Sequence, residues 1–483
     1  MSRLEEENRA LRAENAALRE QVSSLEQTIK HLLGQIAALE RKVASGGRGG
    51  QGTPPPSRPS SGKPRGGQPG HKGHTREKPT LIDDTREHYP HDCPHCGEAL
   101  EPREEVTERF EFEAVERAMK VLRHILHQGF CPRCKRRVKA QATPLLPDSD
   151  YGPRAHGTLA TLRAAMGCTV GDMETFTRNV WQRPLSGGQI VAMLDRVTLA
   201  LVPTFWWLVQ QVSESAVIYE DATSWQVDGE RAVLWVFTTV KITVFWIDPS
   251  GSGWVPYVVL GEEIDGAVVT DSAERFQRVK HGEDQRCLAH PLRTARDLLA
   301  AHPDRPEVVQ MMGALKAHLS WTISLFTRRD QLAPRTWLQY RARARRELLF
   351  IARGNWTDPD CVTMAKRIER DVDLWVTFLW DESGEMEPTN NRAERALRPA
   401  VIDRRSMQQS RSLRGVYREM VLRSVEATCK QLGIDFQTVV TETLLGRPRE
   451  GPRENLSKTL VDAVQTAKSK VASTAPAQAS AGV

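Results

Sequence analysis

Four short runs of β-branched and aromatic residues constrain this chain more than any other feature: Ala216-Val-Ile-Tyr-Glu-Asp221, Ala232-Val-Leu-Trp-Val-Phe-Thr-Thr239, Ile242-Thr-Val-Phe-Trp246 and Gly266-Ala-Val-Val-Thr-Asp271. Runs of this length and composition read as buried strands. The stretch from Trp254 to Glu263 reads as a helix crossing over the sheet, and Gln285-Arg-Cys-Leu-Ala289 as one more strand. An acid ends two of the runs. At the carboxyl end of a strand an acid points into the crevice where open α/β sheets bind ligands, which makes Asp221 and Asp271 candidates for chemistry. A third acid, Glu394, lies in Asn390-Asn-Arg-Ala-Glu-Arg-Ala-Leu-Arg398, a string of good helix formers that sets Arg395 and Arg398 beside it. Two carboxylates on strands and one on a helix can hold two Mg²⁺ or Mn²⁺ ions, one for the attacking and one for the leaving oxygen of a phosphoryl transfer. Taken singly, each Asp has a plainer reading as a turn residue or helix cap.

At 483 residues the chain has room for several domains, one with a large core. The net charge of +6 is modest. Basic residues nevertheless cluster near Arg65, in Arg341-Ala-Arg-Ala-Arg-Arg346 and from Arg395 to Arg418, including Arg404 and Arg405. Such clusters suit a polyanionic partner, although any one of them also reads as a solvated helix face. No apolar stretch reads as a membrane span, and the charged N-terminus does not read as a signal peptide. The expectation is therefore a cytoplasmic, nucleoid-associated protein without a membrane partner.

Seven regions flank or interrupt the predicted sheet. Leu4, Leu11, Leu18, Leu25, Leu32 and Leu39 recur at heptad spacing, with Asn8, Asn15, Val22, Ile29, Ile36 and Val43 on the other seam. Leu at d with β-branched residues at a predicts a parallel coiled-coil homodimer over 1–44, its register set by the two Asn. Residues 45–80, rich in Gly, Pro, Ser and basic side chains, read as a disordered linker whose Lys72 can meet a DNA backbone. Over 81–145 the pairs Cys93-Pro-His-Cys96 and Cys131-Pro-Arg-Cys134 predict a zinc ribbon with a structural Zn²⁺ on four thiolates. Residues 150–205 read as helices broken at Gly167 and near Pro184, with a possible role in DNA binding. The sheet and its third acid occupy 212–400, interrupted by a helical insertion at about 300–380 that holds Trp321, Trp337, Trp356, Trp375 and Trp380. These aromatics read first as helix-core packing and second as stacking platforms for unpaired bases. Closing helices follow over 401–448, then a disordered tail over 449–483.

Two motifs invite readings that the rest of the chain does not support. Leu185-Ser-Gly-Gly-Gln189 matches the signature string of ABC-type ATPases, but no phosphate-binding loop of the G-x-x-x-x-G-K-[ST] type occurs, so it reads as a helix start. Cys287-Leu-Ala-His290 supplies only two metal ligands and reads as an interior Cys beside a His that orients a neighbouring group.

Taken together, Gly67-Gln-Pro-Gly-His-Lys-Gly-His74, the two Cys pairs, Tyr151-Gly-Pro-Arg154, Asp221-Ala-Thr-Ser-Trp-Gln-Val-Asp-Gly229 running into Leu234-Trp-Val-Phe237, Gln285-Arg-Cys-Leu-Ala-His290 and Asn390-Asn-Arg-Ala-Glu-Arg-Ala-Leu-Arg-Pro399 resemble the bacterial transposases of the insertion-sequence sixty-six family. The resemblance implies a multidomain α/β chain with a ribonuclease-H-like catalytic core and helical insertion, preceded by the coiled coil and zinc ribbon. It also implies that Asp221, Asp271 and Glu394 form a DDE triad. The substrates would be the element's terminal inverted repeats and target DNA, with small accessory proteins of the same element as further partners. Two positions differ from the usual family pattern: Ala222 stands where a Glu follows the first Asp, and Leu288 where a Trp separates Cys from Ala. The alternatives are a catalytically decayed transposase and a non-enzymatic zinc-ribbon DNA-binding regulator.

Overall fold

The predicted strands assemble into one mixed sheet, and the order of its strands decides where the acids lie. In this computed structural model the described residues are 119–124, 146, 149–248, 254–271, 279–407, 409–446 and 459–466, together with the backbones of 128–131 and 136–139. All of them belong to the second of two compact units, Glu113–Val483. The heptad segment 1–44, the linker 45–80 with Lys72, and Cys93, Cys96 and Cys134 lie outside the described residues. From the expected zinc ribbon, a hairpin of β1 (Gln128–Cys131) and β2 (Arg136–Lys139) is described, paired antiparallel from Gln128↔Lys139 to Cys131↔Arg136.

Three helices then lead into the sheet: α1 (Pro153–Ala164), α2 (Val170–Asn179) and α3 (Gly187–Ser213). The Leu185-Ser-Gly-Gly-Gln189 string is a helix start, as its sequence context suggested. Ser186 caps α3 through its Oγ, which accepts from Gln189 N at 3.3 Å, and Gln189 Oε1 accepts from Ser186 N at 2.9 Å, a reciprocal capping box. Along α3, Leu194, Val197, Leu201, Phe205, Leu208 and Val212 are fully buried at helical spacing. Contrary to the sequence-based expectation, α3 is long and apolar enough to cross a membrane, but half of its most apolar stretch is buried inside the protein. Its ring contacts, Phe205 on Trp246 and Tyr417, are those of a core helix.

The sheet comprises β3 (Val217–Val227), β4 (Glu230–Thr238), β5 (Thr243–Asp248), β6 (Glu263–Thr270) and β7 (Lys280–Arg286), with α4 (Trp254–Leu260) between β5 and β6. Its spatial order is β5-β4-β3-β6-β7. Neighbours β3, β4 and β5 run antiparallel, whereas β6 and β7 run parallel to β3. Asp228 and Gly229, both at positive φ, form the two-residue turn between β3 and β4, the geometry that an Asp-Gly pair favours in a hairpin. Where β6 bulges between Ile264 and Ala267, a Cβ on Gly266 would come within 2.3 Å of the Ser215 carbonyl oxygen, so only glycine lets the two backbones close.

Three sequence readings shift by a few residues: the crossover helix, read over Trp254 to Glu263, ends at Leu260, and Glu263 already opens β6. The last strand runs over 280–286, and Ala289, read as part of it, already belongs to the next helix because the chain turns at Cys287–Leu288. Asp221 lies inside β3 rather than at its end, since the antiparallel hairpin with β4 carries β3 on to Val227. The pairing with β6, however, stops at Tyr219↔Val269, so Asp221 does lie past the parallel half of the sheet.

After β7 the chain is helical: α5 (Ala289–Ala301), α6 (Pro306–Arg328), α7 (Pro334–Ala352) and α8 (Pro359–Val376), then α9 (Asn391–Met407), α10 (Leu413–Leu432) and α11 (Phe436–Leu445). Helix α10 covers the free edge of β5: Phe245 N donates to Ser424 Oγ at 2.8 Å and Thr243 N to Thr428 Oγ1 at 3.1 Å. Residues 459–466, within the stretch read as a disordered tail, are helical. Leu460 and Val464 are fully buried at a spacing that gives the segment one apolar face, and Thr459 Oγ1 donates to Glu442 Oε1 at 2.5 Å.

Candidate active site

Parallel register brings the two aspartates together. Val217, Ile218 and Tyr219 pair with Ala267, Val268 and Val269, and the same offset carried two residues further would set Asp221 beside Asp271. Adjacent strands lie about 4.8 Å apart and alternate residues share a face, so both carboxylates rise from one face of the sheet. On the far side of β6, Thr270 pairs with Arg286 and its carbonyl accepts from Cys287 N at 2.9 Å, which places Cys287 level with Asp271.

Helix α9 crosses the same face with Glu394 in its first turn. Asn390, one residue before the helix, is fully buried and holds the helix start to both neighbouring strands: its Nδ2 donates to the Glu220 carbonyl at 2.6 Å and its backbone N donates to Cys287 Sγ at 3.1 Å. Its own carbonyl accepts from Glu394 N at 3.1 Å, closing the first helical turn. Two further contacts bracket Asp221 along β3. Arg392 lies 5.4 Å over the Tyr219 ring, and Arg404 Nη1 donates to Thr223 Oγ1 at 3.1 Å and to the Ser224 carbonyl at 2.7 Å. The Tyr219 hydroxyl ties down the preceding loop by donating to the Glu385 carbonyl and accepting from Glu387 N. The first turn of α9, Asp221 and Asp271 are thus brought to one edge of the sheet by backbone placement.

Asp221, Asp271 and Glu394 are each half-buried, and Asp221 Oδ1 accepts from Ala222 N at 2.8 Å. Among the described residues no group of three or more His, Cys, Asp or Glu side chains is gathered to hold a metal ion. The donor set is nonetheless all carboxylate, the chemistry that Mg²⁺ prefers. Polar atoms without a described partner surround it: His290 Nδ1, Asn390 Oδ1 and Arg392 Nε are all buried. Neighbouring groups are held neutral by burial. Desolvation pushes Glu220, on the opposite face of β3, up to about 8, with His281 lowering and Asp284 raising it. Burial also raises the Cys287 thiol, and the Glu394 charge adds to that shift. Cys287 accordingly serves the interior: its thiol sulfur accepts a backbone hydrogen bond from Asn390, and the next residue, Leu288, donates its backbone N to the Pro388 carbonyl at 2.9 Å.

The basic run after Glu394 divides into two sets. Arg395, Arg398 and Arg405 are exposed, with Arg395 3.8 Å from Glu387. Arg404 is spent on β3, and Arg414 and Arg418 on Asp195 of α3 at 2.8 and 2.6 Å. Asn390 is the functional position that reading the sequence for acids overlooked. The signal was present, since Asn immediately before a helical run is a favoured cap. Arg392 and Tyr219 carried no comparable mark.

No curated protein matches the chain. A model of the Transposase IS66 family matches residues 149–418, from the helices before the sheet through β3–β7 and the insertion to α9 and the start of α10. The match covers more than half of the sequence and includes all three acids, so the chain belongs to the IS66 family of transposases.

Proposed function

We propose that this transposase is a DDE enzyme that binds the terminal inverted repeats of its own element, cuts DNA strands there and joins them to target DNA at one site made of Asp221, Asp271 and Glu394. The observation that supports this reading is the parallel β3–β6 pairing, which ends at Tyr219↔Val269, two residues before each aspartate, and whose offset continued would bring Asp221 next to Asp271 near the helix that bears Glu394. The strand order, with three antiparallel strands followed by two parallel ones, supports assigning the sheet to the ribonuclease-H-like class.

In this reading the three carboxylates hold Mg²⁺ or Mn²⁺, which when bound supplies charge neutralisation at the phosphorus and a more acidic attacking oxygen. The chain's own residues do the rest. Asn390 and Cys287 fix the start of α9, so Glu394 keeps its station above the two aspartates. The exposed Arg395, Arg398 and Arg405 bind phosphates flanking the scissile bond, a contribution that weakens with salt. Cutting and joining are both in-line displacements at phosphorus, so one constellation serves both. The heptad segment would pair two copies, which suits an element with two ends, and the two Cys pairs would hold a structural Zn²⁺.

The test incubates purified protein and Mg²⁺ with labelled DNA carrying the ends that flank its coding region, beside Asp221→Asn. The parent should cut and join, and the variant should bind the ends with unchanged affinity and do neither. Cutting by Asp221→Asn, or loss of binding without an independent loss of cutting, would remove the proposed role for this acid.

A further inference from the structure

An open groove lined by none of the three acids lies in the helical insertion between α6 and α7, with a volume of about 1030 Å³. Ligand pockets for small molecules run to roughly 300–1,000 Å³, so this groove is at the upper limit and open to solvent. Its wall carries three aromatic rings. Phe350 is 81 % exposed, an unusual position for a phenyl ring on a helix, and Trp380 is 40 % exposed. Trp356 is held rigidly: its Nε1 donates to the Ile351 carbonyl at 2.8 Å, and its ring packs so closely over Gly354 that a Cβ there would meet it at 2.6 Å. Arg341 covers one face of Trp380 at 4.7 Å.

The charge around these rings is positive. Arg345, Arg346 and Arg353 line the groove and are exposed. Arg346 and Arg353 have no ion-pair partner among the described residues, and Arg345 pairs with Asp373 at an exposed position where water and salt screen it. The acid in the wall, Glu307, is occupied in accepting from Thr357 N and Asp358 N at 2.7 and 2.9 Å. A small apolar ligand would not need the arginines, and a stacked duplex offers no base faces to Phe350. Exposed rings interleaved with unpaired guanidiniums match unpaired nucleotides, whose bases stack on aromatics while their phosphates meet Arg.

We propose that this groove receives one or two unpaired nucleotides of a DNA end, a base stacking on Phe350 beside Trp356 and the adjoining phosphates on Arg346 and Arg353. The proposal rests on the reading of the chain as a DNA-end-processing enzyme and adds a second DNA site to it, outside the acids.

The test uses the full-length protein and an end duplex whose terminal nucleotides are unpaired, with 2-aminopurine in the unpaired stretch, beside a fully paired duplex. The parent should bind the splayed end more tightly and change the 2-aminopurine fluorescence. Phe350→Ala should lose this preference by roughly tenfold and leave the paired duplex unaffected. Arg346→Glu with Arg353→Glu should flatten the salt dependence by about two phosphate contacts. Binding of both duplexes by the parent with no preference, or a preference that survives Phe350→Ala, would overturn the groove assignment while leaving the function standing. A change of oligomeric state on Phe350→Ala with DNA binding unaltered would give the groove to a second copy and equally overturn it. No binding of either duplex by the parent would remove both readings.

Discussion

Two glutamates on α10, one turn-pair apart, should respond oppositely to the same substitution. Glu419 is 3 % exposed and sits between two guanidiniums: Arg163 Nε donates to its Oε1 at 2.6 Å and Arg423 Nε to its Oε2 at 2.9 Å. Arg423, 4 % exposed at its side chain, also reaches Asp403 at 2.8 Å, so the cluster ties α1, α10 and α9 together. Burial opposes ionisation of Glu419, but the charges of Arg163 and Arg423 outweigh it and hold the carboxyl below the usual range. Glu426 lies on the same helix, and there burial dominates and raises the carboxyl, with Lys430 and Arg423 only partly offsetting it. Glu419→Gln removes the carboxylate shared by Arg163 and Arg423 and leaves Arg423 with Asp403 alone; breaking a buried ion pair typically costs about 3–5 kcal/mol. With a urea slope of roughly 3 kcal/mol/M, the unfolding midpoint at pH 7 should fall by about 1 M or more. Glu426→Gln should leave the midpoint unchanged or raise it. The signs with pH follow. A depressed carboxyl contributes stability above its unfolded value that is lost as pH falls through the folded value, so the Glu419→Gln deficit should shrink in acid. A raised carboxyl costs stability as pH rises through its folded value, so any gain from Glu426→Gln should grow with pH. Urea titrations of both variants and the parent at pH 4, 7 and 9, followed by tryptophan fluorescence, provide the comparison. A Glu419→Gln midpoint within 0.3 M of the parent (about 1 kcal/mol at that slope) at pH 7 would refute the view that this cluster braces α9.

Other expectations concern the site and its supports. Asn390→Ala removes the bond to the Glu220 carbonyl and frees the start of α9, so it should cost roughly 1–3 kcal/mol in unfolding and reduce strand cleavage far more than end binding, read side by side by gel and fluorescence anisotropy. Gly266→Ala forces a Cβ against the Ser215 and Ala216 carbonyls and should lower the thermal midpoint sharply, whereas an unchanged midpoint would mean that β6 does not close on β3 in this way. Purified full-length protein should contain one Zn²⁺ per chain by elemental analysis, and Cys131→Ser should lose it without changing the fluorescence of the sheet tryptophans.

How much of this was legible beforehand differs by element. The four β-rich runs became strands because alternation and β-branching are local signals, and the Ser186 cap and the Asp228–Gly229 turn were equally local. The basic run from Arg395 to Arg418 was not legible in the same way. As a string it suits a polyanion, but Arg404 and Arg418 are engaged by β3 and Asp195, Arg414 pairs with Asp195 from an exposed position, and sequence spacing alone does not say which face a helix will bury. Glu220 and Asp221 adjoin in sequence yet fall on opposite faces of β3, one buried near a neutral range and one at the candidate site.

The sequence by itself determined that the four β-rich runs are strands, that Ser186 starts a helix, and the family to which the chain belongs, because periodicity, caps and motif strings are written in neighbouring residues. Only the tertiary structure decided that β3 and β6 pair in parallel to within two residues of Asp221 and Asp271, that Asn390 ties the start of the helix of Glu394 to β3 and to Cys287 just past β7, and that exposed rings and arginines meet in one groove. Those outcomes depend on pairings between residues 50 to 170 positions apart, selected by which faces are buried together, and no local pattern encodes them.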